Sequence, residues 1–325
     1  KIKTMKKILI VLLIGFASFP LVIKAQNSSQ ESVPLLVEEV TKDLKENILP
    51  FWEKNAPDPR EGFYGTILND GTPQLDAPKG GVLNARILWT FSKAYQLFGN
   101  EEYKRMADRA QEYFIKYFID HKYGGTFWSL HADDTPNITD KQTYGIVYGI
   151  YGLAQHYQAT KNKKSLHQAI TLYKILEKHA YDAVNGGYIE SFTQDWQVPV
   201  QYGYDGKGIA PKTMNTHLHV LEAYTLLYQV WPNQQLKKQL KNLINIFLNE
   251  IIDRQRWHQR LFLTMDWQNL ENIDSYGHDM ELSWLLLEAA EVLDEEGIIE
   301  EVLPVVLKLV DTQMSEGWTK EGAML

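Results

Sequence analysis

His121-Lys122-Tyr123-Gly124-Gly125-Thr126-Phe127-Trp128 and Asn185-Gly186-Gly187-Tyr188-Ile189-Glu190-Ser191-Phe192 are two copies of one pattern, paired glycines followed by an aromatic-rich stretch. Each copy closes a pair of segments with helical periodicity. Before the first lie Val82 to Leu97, with Leu83, Ile87, Phe91 and Tyr95 on one stripe, and Glu101 to Phe118. Between the copies lie Thr143 to Gln158 and Lys164 to Ala180. After the second come Met214 to Val230 and Leu236 to Ile252, a loop with Trp257 and Phe262, then His278 to Leu293 and Ile298 to Met314. Upstream, Val37, Val40, Leu44 and Ile48 form a stripe that Pro50 is expected to stop, followed by a loop rich in Gly, Pro and Asp. Helix, turn, helix and glycine loop therefore recur every 60 to 70 residues or so. A helical hairpin cannot bury both its apolar faces alone, whereas stacked hairpins bury them and close into a ring when enough are present. The expectation is an all-α fold with strands confined to the loops. The helices number about nine, and the last pair runs into the start of another loop at Gly317. That odd count predicts a barrel truncated at the C-terminus.

The composition narrows the function. The chain has 325 residues, 44% hydrophobic, enough for a large core. A net charge of -8 argues against nucleic-acid binding. There is no cysteine, hence no thiol nucleophile, disulfide frame or cysteine metal site. The 9 Trp and 18 Tyr supply core, and also the flat platforms on which sugars stack. At the N-terminus, Met5-Lys6-Lys7, the apolar run Ile8 to Ile23 and the small-residue site Ala25-Gln26 form a secretory signal pattern. Residues 1–25 are thus expected to be a signal peptide, with Lys1 to Thr4 preceding the native start. Residues 26–35 are expected to be a linker and 36–325 the barrel domain. The protein is expected to be secreted or periplasmic, without stable membrane insertion once the signal is cleaved. An uncleaved anchor is the alternative.

Four helix mouths carry polar groups where apolar ones would serve packing. Arg86 stands between apolar residues in Gly81-Val82-Leu83-Asn84-Ala85-Arg86-Ile87-Leu88-Trp89, as a salt-bridge partner or as a cation for a substrate oxygen. Tyr144, Tyr148 and Tyr151 share a face interleaved with glycines, a stripe that reads first as core. Asn215, His219 and Glu222 share a face of a helix otherwise built of Leu, Val and Ala, so they need partners or a cavity. His217 diverges from His219, which argues against a two-histidine metal site. Finally, Ser275-Tyr276-Gly277-His278-Asp279-Met280-Glu281-Leu282-Ser283-Trp284 puts His278 and Glu281 three apart in the first turn of a helix. They read either as a cap with a first-turn carboxylate or as a base with the carboxylate that orients it. No third ligand stands at metal-site spacing, so no metal is expected.

Taken together, Thr143-Tyr144-Gly145-Ile146-Val147-Tyr148-Gly149, Met214-Asn215-Thr216-His217-Leu218-His219 and Gly277-His278-Asp279-Met280-Glu281 resemble the cellobiose 2-epimerases of the N-acylglucosamine 2-epimerase family. Asn84-Ala85-Arg86 with Trp89, and Ile189-Glu190-Ser191-Phe192 with Asp195-Trp196, extend the resemblance from about Leu36 onward. It implies an (α/α)6 barrel and reversible inversion at C2 of the reducing-end sugar of a β-1,4-linked disaccharide, cellobiose or mannobiose, without a cofactor. It also implies ring opening, removal of the C2 proton by a histidine, an enediolate, rotation about C2–C3 and return of the proton to the other face by a second histidine. By motif match His278 is a catalytic histidine, Glu281 its orienting carboxylate, and His219 an assistant at the substrate oxygens. Arg86, Tyr144 and Asn215 match substrate-binding positions, and Trp284 an aromatic at the reducing-end subsite. The family's second catalytic histidine follows a Trp-Trp-Pro segment, and no histidine follows His278 here. The chain as it stands is therefore expected to be nearly inactive, and the full-length product active, as a monomer. The alternatives are an aldose–ketose isomerase on the same barrel, a glycoside hydrolase, against which the histidine-rich clusters count, and a non-catalytic carbohydrate-binding protein.

Overall fold

The computed structural model describes residues 29–199, 201–202 and 210–323. The expected signal segment, 1–25, lies outside them. Part of the expected linker does not behave as one: α1 (Ser29–Asp43) begins inside it. The expected stop at Pro50 is also corrected. A π turn (Leu44–Ile48) leads straight into α2 (Leu49–Asn55), with Pro50 in its first turn. Proline lacks an N–H and crowds the carbonyl four residues back. The extra residue of a π turn opens the ladder there, so the chain continues as helix.

Four helical hairpins follow: α3 (Gly81–Phe98) with α4 (Glu101–Tyr113), α5 (Thr143–Thr160) with α6 (Lys163–His179), α7 (Met214–Val230) with α8 (Gln234–Ile246), and α9 (Tyr276–Leu293) with α10 (Glu296–Glu316). The hairpin turns share a chemistry. Helices α3, α5 and α9 end on a left-handed residue, Gly99, Lys161 or Asp294. Asn100, Asn162 and Asn233 then cap α4, α6 and α8, each accepting from the backbone N–H two residues on at 2.9 to 3.0 Å. Helices α3, α5, α7 and α9 pack side by side in that order as an inner row, each backed by its own partner. One continuous core of Leu, Ile, Val, Ala, Phe and Tyr fills the space between the rows. Among the described residues, no helix is long and apolar enough to cross a membrane.

The strands are short and gather where the inner helices begin. Three of them present a lysine two residues before a helix: β1 (Lys79–Gly80), β4 (Lys141–Gln142) and β6 (Lys212–Thr213), paired with β2 (Ser129–Leu130), β5 (Ser191–Phe192) and β9 (Phe262–Leu263). All three lysines are buried. Their Nζ atoms reach Asp58 (3.0 Å), Asp120 (2.7 Å) and Asp182 (2.8 Å) respectively. Asp120 and Asp182 each close the turn after an outer helix, accepting from the N–H groups two and three residues ahead. The Lys141 and Lys212 pairs thus tie the foot of one hairpin to the head of the next, and the Lys79 pair ties the first hairpin to the segment before it.

A second tie runs backwards. Thr193-Gln194-Asp195-Trp196-Gln197 and Thr264-Met265-Asp266-Trp267-Gln268 form equivalent turns with tryptophan in the left-handed region, at φ 67° and 69°. That conformation costs a non-glycine residue about 1 kcal/mol. Here each indole N–H donates to the preceding repeat, Trp196 to Tyr123 O (2.9 Å) and Trp267 to Asn185 O (2.8 Å), which offsets the strain.

Helix α9 breaks the pattern. Asp253 makes the same turn, yet no lysine precedes α9, and Arg260 stands 3.8 Å from that carboxylate instead. The first turn of α9 is held from the other side. Buried Asp279 accepts from His258 Nδ1 at 2.8 Å and from Gln259 N at 2.9 Å, both on β8 (His258–Gln259). Residue 278 is therefore presented by a differently fastened turn from its counterparts in α3, α5 and α7.

Candidate active site

The inner helices start at one end of the barrel, and their first three turns carry the residues singled out from the sequence. On α7, Thr213 caps the helix and Glu190 clamps it, accepting from Thr213 Oγ1 (2.8 Å) and Thr216 Oγ1 (3.0 Å). Burial pushes the Glu190 carboxyl above its ordinary range, and the two hydroxyls oppose that. This clamp fixes the turn that bears Asn215 and leads to His219. Asn215 is half-buried, and its Oδ1 has no hydrogen-bond partner among the described residues. A shielded carbonyl oxygen of that kind has unused acceptor capacity.

His219 lies one turn deeper and is buried. Its Nδ1 is 2.9 Å from Glu222 Oε2. The Tyr148 hydroxyl lies 3.2 Å from both ring nitrogens. Tyr144 meets the imidazole edge-on, 5.2 Å between centroids. Arg86 reaches in from α3: its Nη2 donates to Tyr148 Oη at 2.6 Å, and its guanidinium carbon stands 4.6 Å from the Tyr148 ring centroid. Burial pushes the Tyr148 and Tyr151 phenols well above the usual tyrosine range, so both are neutral at physiological pH. Arg86, Tyr144 and His219 thus form one contiguous wall, with Asn215 a turn above His219.

His278 stands on the neighbouring helix α9, half-buried. Its Nδ1 pairs with Ser275 Oγ at 2.7 Å. This corrects one expectation. Ser275, not Glu281, is hydrogen-bonded to the ring. Glu281 is half-buried one turn on, with no bond to the imidazole. The reason is local. The serine at the mouth of α9 makes no capping bond to the backbone and its hydroxyl reaches the ring first. Trp284 is half-buried further down α9 and packs against the edge of the core.

The histidine–carboxylate pair three residues apart does exist, but at His219–Glu222 rather than His278–Glu281. The spacing was present in the sequence at both places. Tyr148 was named in the stripe but given no role in the site, because a tyrosine stripe beside glycines reads as core. What marks it is the facing arginine on α3, a pairing across helices that spacing along one helix does not reveal. His217 is structural. It pairs with Thr213 O (2.7 Å) and accepts from Tyr188 N (2.9 Å), and burial lowers its pKa to about 4, so it stays neutral and pins the second glycine loop to α7. Among the described residues, no group of three or more His, Asp or Glu is arranged to hold a metal ion.

The sequence profile of the N-acylglucosamine 2-epimerase (GlcNAc 2-epimerase) family matches residues 62–325. The chain belongs to this family.

Its similarity to individual members is broad. A cellobiose 2-epimerase of Bacteroides fragilis is 44% identical over 293 residues, spanning 90% of this chain and 74% of that protein. A cellobiose 2-epimerase of Dictyoglomus turgidum is 34% identical over 296 residues, with 90% and 74% covered. The structure of cellobiose 2-epimerase from Bacillus thermoamylovorans superimposes with a TM-score of 0.84 at 34% identity, over 90% of this chain and 75% of that one. The hairpins are those of an (α/α)6 barrel, as the motifs implied. Arg86 and His219 meet on the Tyr148 hydroxyl, and His278 stands near the start of the neighbouring inner helix.

Proposed function

We propose that the protein catalyses reversible epimerisation at C2 of the reducing-end sugar of a β-1,4-linked disaccharide, with cellobiose as the first substrate to test. The observation that carries this reading is the pair of separately oriented imidazoles on adjacent inner helices, His219 on Glu222 and Tyr148, His278 on Ser275, with the Arg86 guanidinium linked to the first through Tyr148. The identity to cellobiose 2-epimerases supports it.

The chemistry follows from what C2 inversion requires. The sugar ring opens, which moves a proton off the O1 hydroxyl and one onto the ring oxygen, and His219 serves those oxygens. The C2–H is then alpha to an aldehyde and acidic enough for an imidazole to take. His278 takes that proton, and the electron pair moves to O1 as the enediolate forms. Arg86 and the Tyr148 hydroxyl stabilise the developing negative charge. Rotation about C2–C3 presents the other face, the second acid that the family resemblance implies gives a proton to C2 there, and His278 releases the one it took to solvent as that acid regains its own. Glu281 lies one turn from His278, where a carboxylate stabilises the imidazolium formed on proton uptake. Tyr144, Asn215 and Trp284 hold the sugar. Read with residues 1–25 as a signal, the enzyme acts outside the cytoplasm on disaccharides released there.

Replacing Trp284 by alanine is expected to raise KM for cellobiose about tenfold while changing kcat less, since a stacking ring contributes uniform binding of about 1 kcal/mol or slightly more. Steady-state kinetics on the full-length protein checks this. Chromatography of the products tests the reaction itself. Glucosyl-mannose is the expected product, whereas glucosyl-fructose as the main product would replace the epimerase reading with an aldose–ketose isomerase.

A further inference from the structure

We propose that Glu222 and Tyr148 are the positioning residues of His219: the carboxylate fixes the imidazole as its Nδ1–H tautomer, and the phenol sets a hydroxyl against Nε2. The kinetic part of this proposal rests on the epimerase reading, whereas the tautomer stands on its own.

Donor counting gives the assignment. A guanidinium only donates, so Tyr148 Oη accepts from Arg86 Nη2 and has one proton left to give. Its geometry permits either ring nitrogen of His219. Nδ1 is already engaged at 2.9 Å by Glu222, and a carboxylate is an acceptor only, so Nδ1 carries the proton. With the imidazole neutral, the acceptor left on the ring for the Tyr148 proton is Nε2, and Tyr144 is the other hydroxyl beside it. Tyr151, on α5, stands close enough to the Glu222 carboxylate for its charge to help raise the phenol's pKa, after burial. The sequence of donors runs from Arg86 through Tyr148 and His219 to Glu222, with a cation at one end and an anion at the other.

The consequence is directional. Nε2 is the nitrogen with a lone pair, and the Tyr148 hydroxyl, with Arg86 behind it, lies 3.2 Å from it. When Nε2 takes a proton from a substrate hydroxyl, the Tyr148 hydroxyl must turn off it and becomes a donor for a sugar oxygen. The imidazolium so formed stays paired through Nδ1 with Glu222. Without the carboxylate, the ring is free to take the other tautomer, in which Nε2 is blocked. The charged and titratable groups around this dyad are Arg86 and Lys93 on α3, Tyr144, Tyr148 and Tyr151 on α5, and Glu288 on α9.

Two measurements on the full-length protein test it. In long-range proton–nitrogen NMR of histidine-labelled protein without substrate, His219 is expected to show a protonated Nδ1 and an unprotonated Nε2 at neutral pH. Glu222→Gln is expected to shift it toward the Nε2–H form. A wild-type His219 already in the Nε2–H form, or a tautomer unchanged by Glu222→Gln, would overturn the assignment. In kinetics, Glu222→Gln is expected to lower kcat about 10²-fold or more with KM within about threefold, because a misplaced tautomer removes proton transfer rather than binding. Glu222→Asp should restore kcat about tenfold relative to Glu222→Gln, and Tyr148→Phe should alter the pH profile of kcat. If Glu222→Gln keeps the wild-type kcat and pH profile, the positioning role fails. If the wild-type protein epimerises no disaccharide, only the epimerase reading fails, and the NMR result still decides the tautomer.

Discussion

His278→Asn is expected to slow removal of the C2 proton on the order of 10³-fold, with the fold and KM little changed. Asparagine keeps a polar atom near Ser275 Oγ, so the local hydrogen bond survives, but it has no basic nitrogen to accept the proton. The structure gives a reason for the fold to tolerate it. The first turn of α9 is anchored by Asp279 to His258 and Gln259 on β8, not by His278. His278 is half-buried and bonded to one hydroxyl within its own turn. A thermal melt close to wild type together with the lost rate separates chemistry from structure. A variant with the wild-type exchange rate would remove His278 from the mechanism.

Lys212→Met is expected to have the largest effect on stability, about 3 to 5 kcal/mol, read as a lower midpoint in chemical denaturation. Lys212 Nζ spends its three protons on Asp182 Oδ2 (2.8 Å), Gly186 O (2.7 Å) and Met265 O (2.6 Å), and it lies 4.3 Å from the Trp267 ring centroid. Methionine fills the volume but leaves a buried carboxylate without its counter-charge, though still accepting from Val184 and Asn185, and removes the lysine donor from two carbonyls. Adding Asp182→Asn should recover part of the loss, since the uncompensated charge is then gone. The same pair predicts an acid sensitivity. Burial alone would raise the Asp182 pKa, but Lys212, Asn185 and the backbone N–H groups outweigh it and hold the pKa at about 2, below the ordinary 3.8. A depressed carboxylate contributes stability above its unfolded pKa and loses it as pH falls through its folded one. The Asp182 contribution is thus complete above about pH 4 and disappears toward pH 2, and Asp120 beside Lys141, also at about 2, adds to the same window.

The hairpins were legible in the sequence because their periodicity is strong and their glycine loops recur. The buried lysines were not. Lys141 and Lys212 stand at the head of two of the polar clusters, yet a lysine before a helix reads as solvated, and only the facing aspartates explain its burial. The helix through Pro50 was missed because a proline in a stripe reads as a stop, and the π turn that accommodates it has no sequence signature of its own. The site divided in the same way. Residues whose oddity is local, such as Arg86 among apolar neighbours or the trio of Asn215, His219 and Glu222, could be found by spacing. Relations across helices could not. Tyr148 became part of the site only when Arg86 and His219 were seen to meet on its hydroxyl, and Ser275 displaced Glu281 at the His278 ring because a hydroxyl in the same turn is nearer than any spacing rule anticipates.

Proton NMR of the full-length protein with cellobiose in heavy water brings the chemistry to a single atom. Epimerisation through an enediolate predicts loss of the C2 proton signal of the reducing-end sugar, with solvent deuterium at C2 of both the glucose and the mannose epimer. No exchange at C2, with cellobiose or any other β-1,4-linked disaccharide, would contradict it.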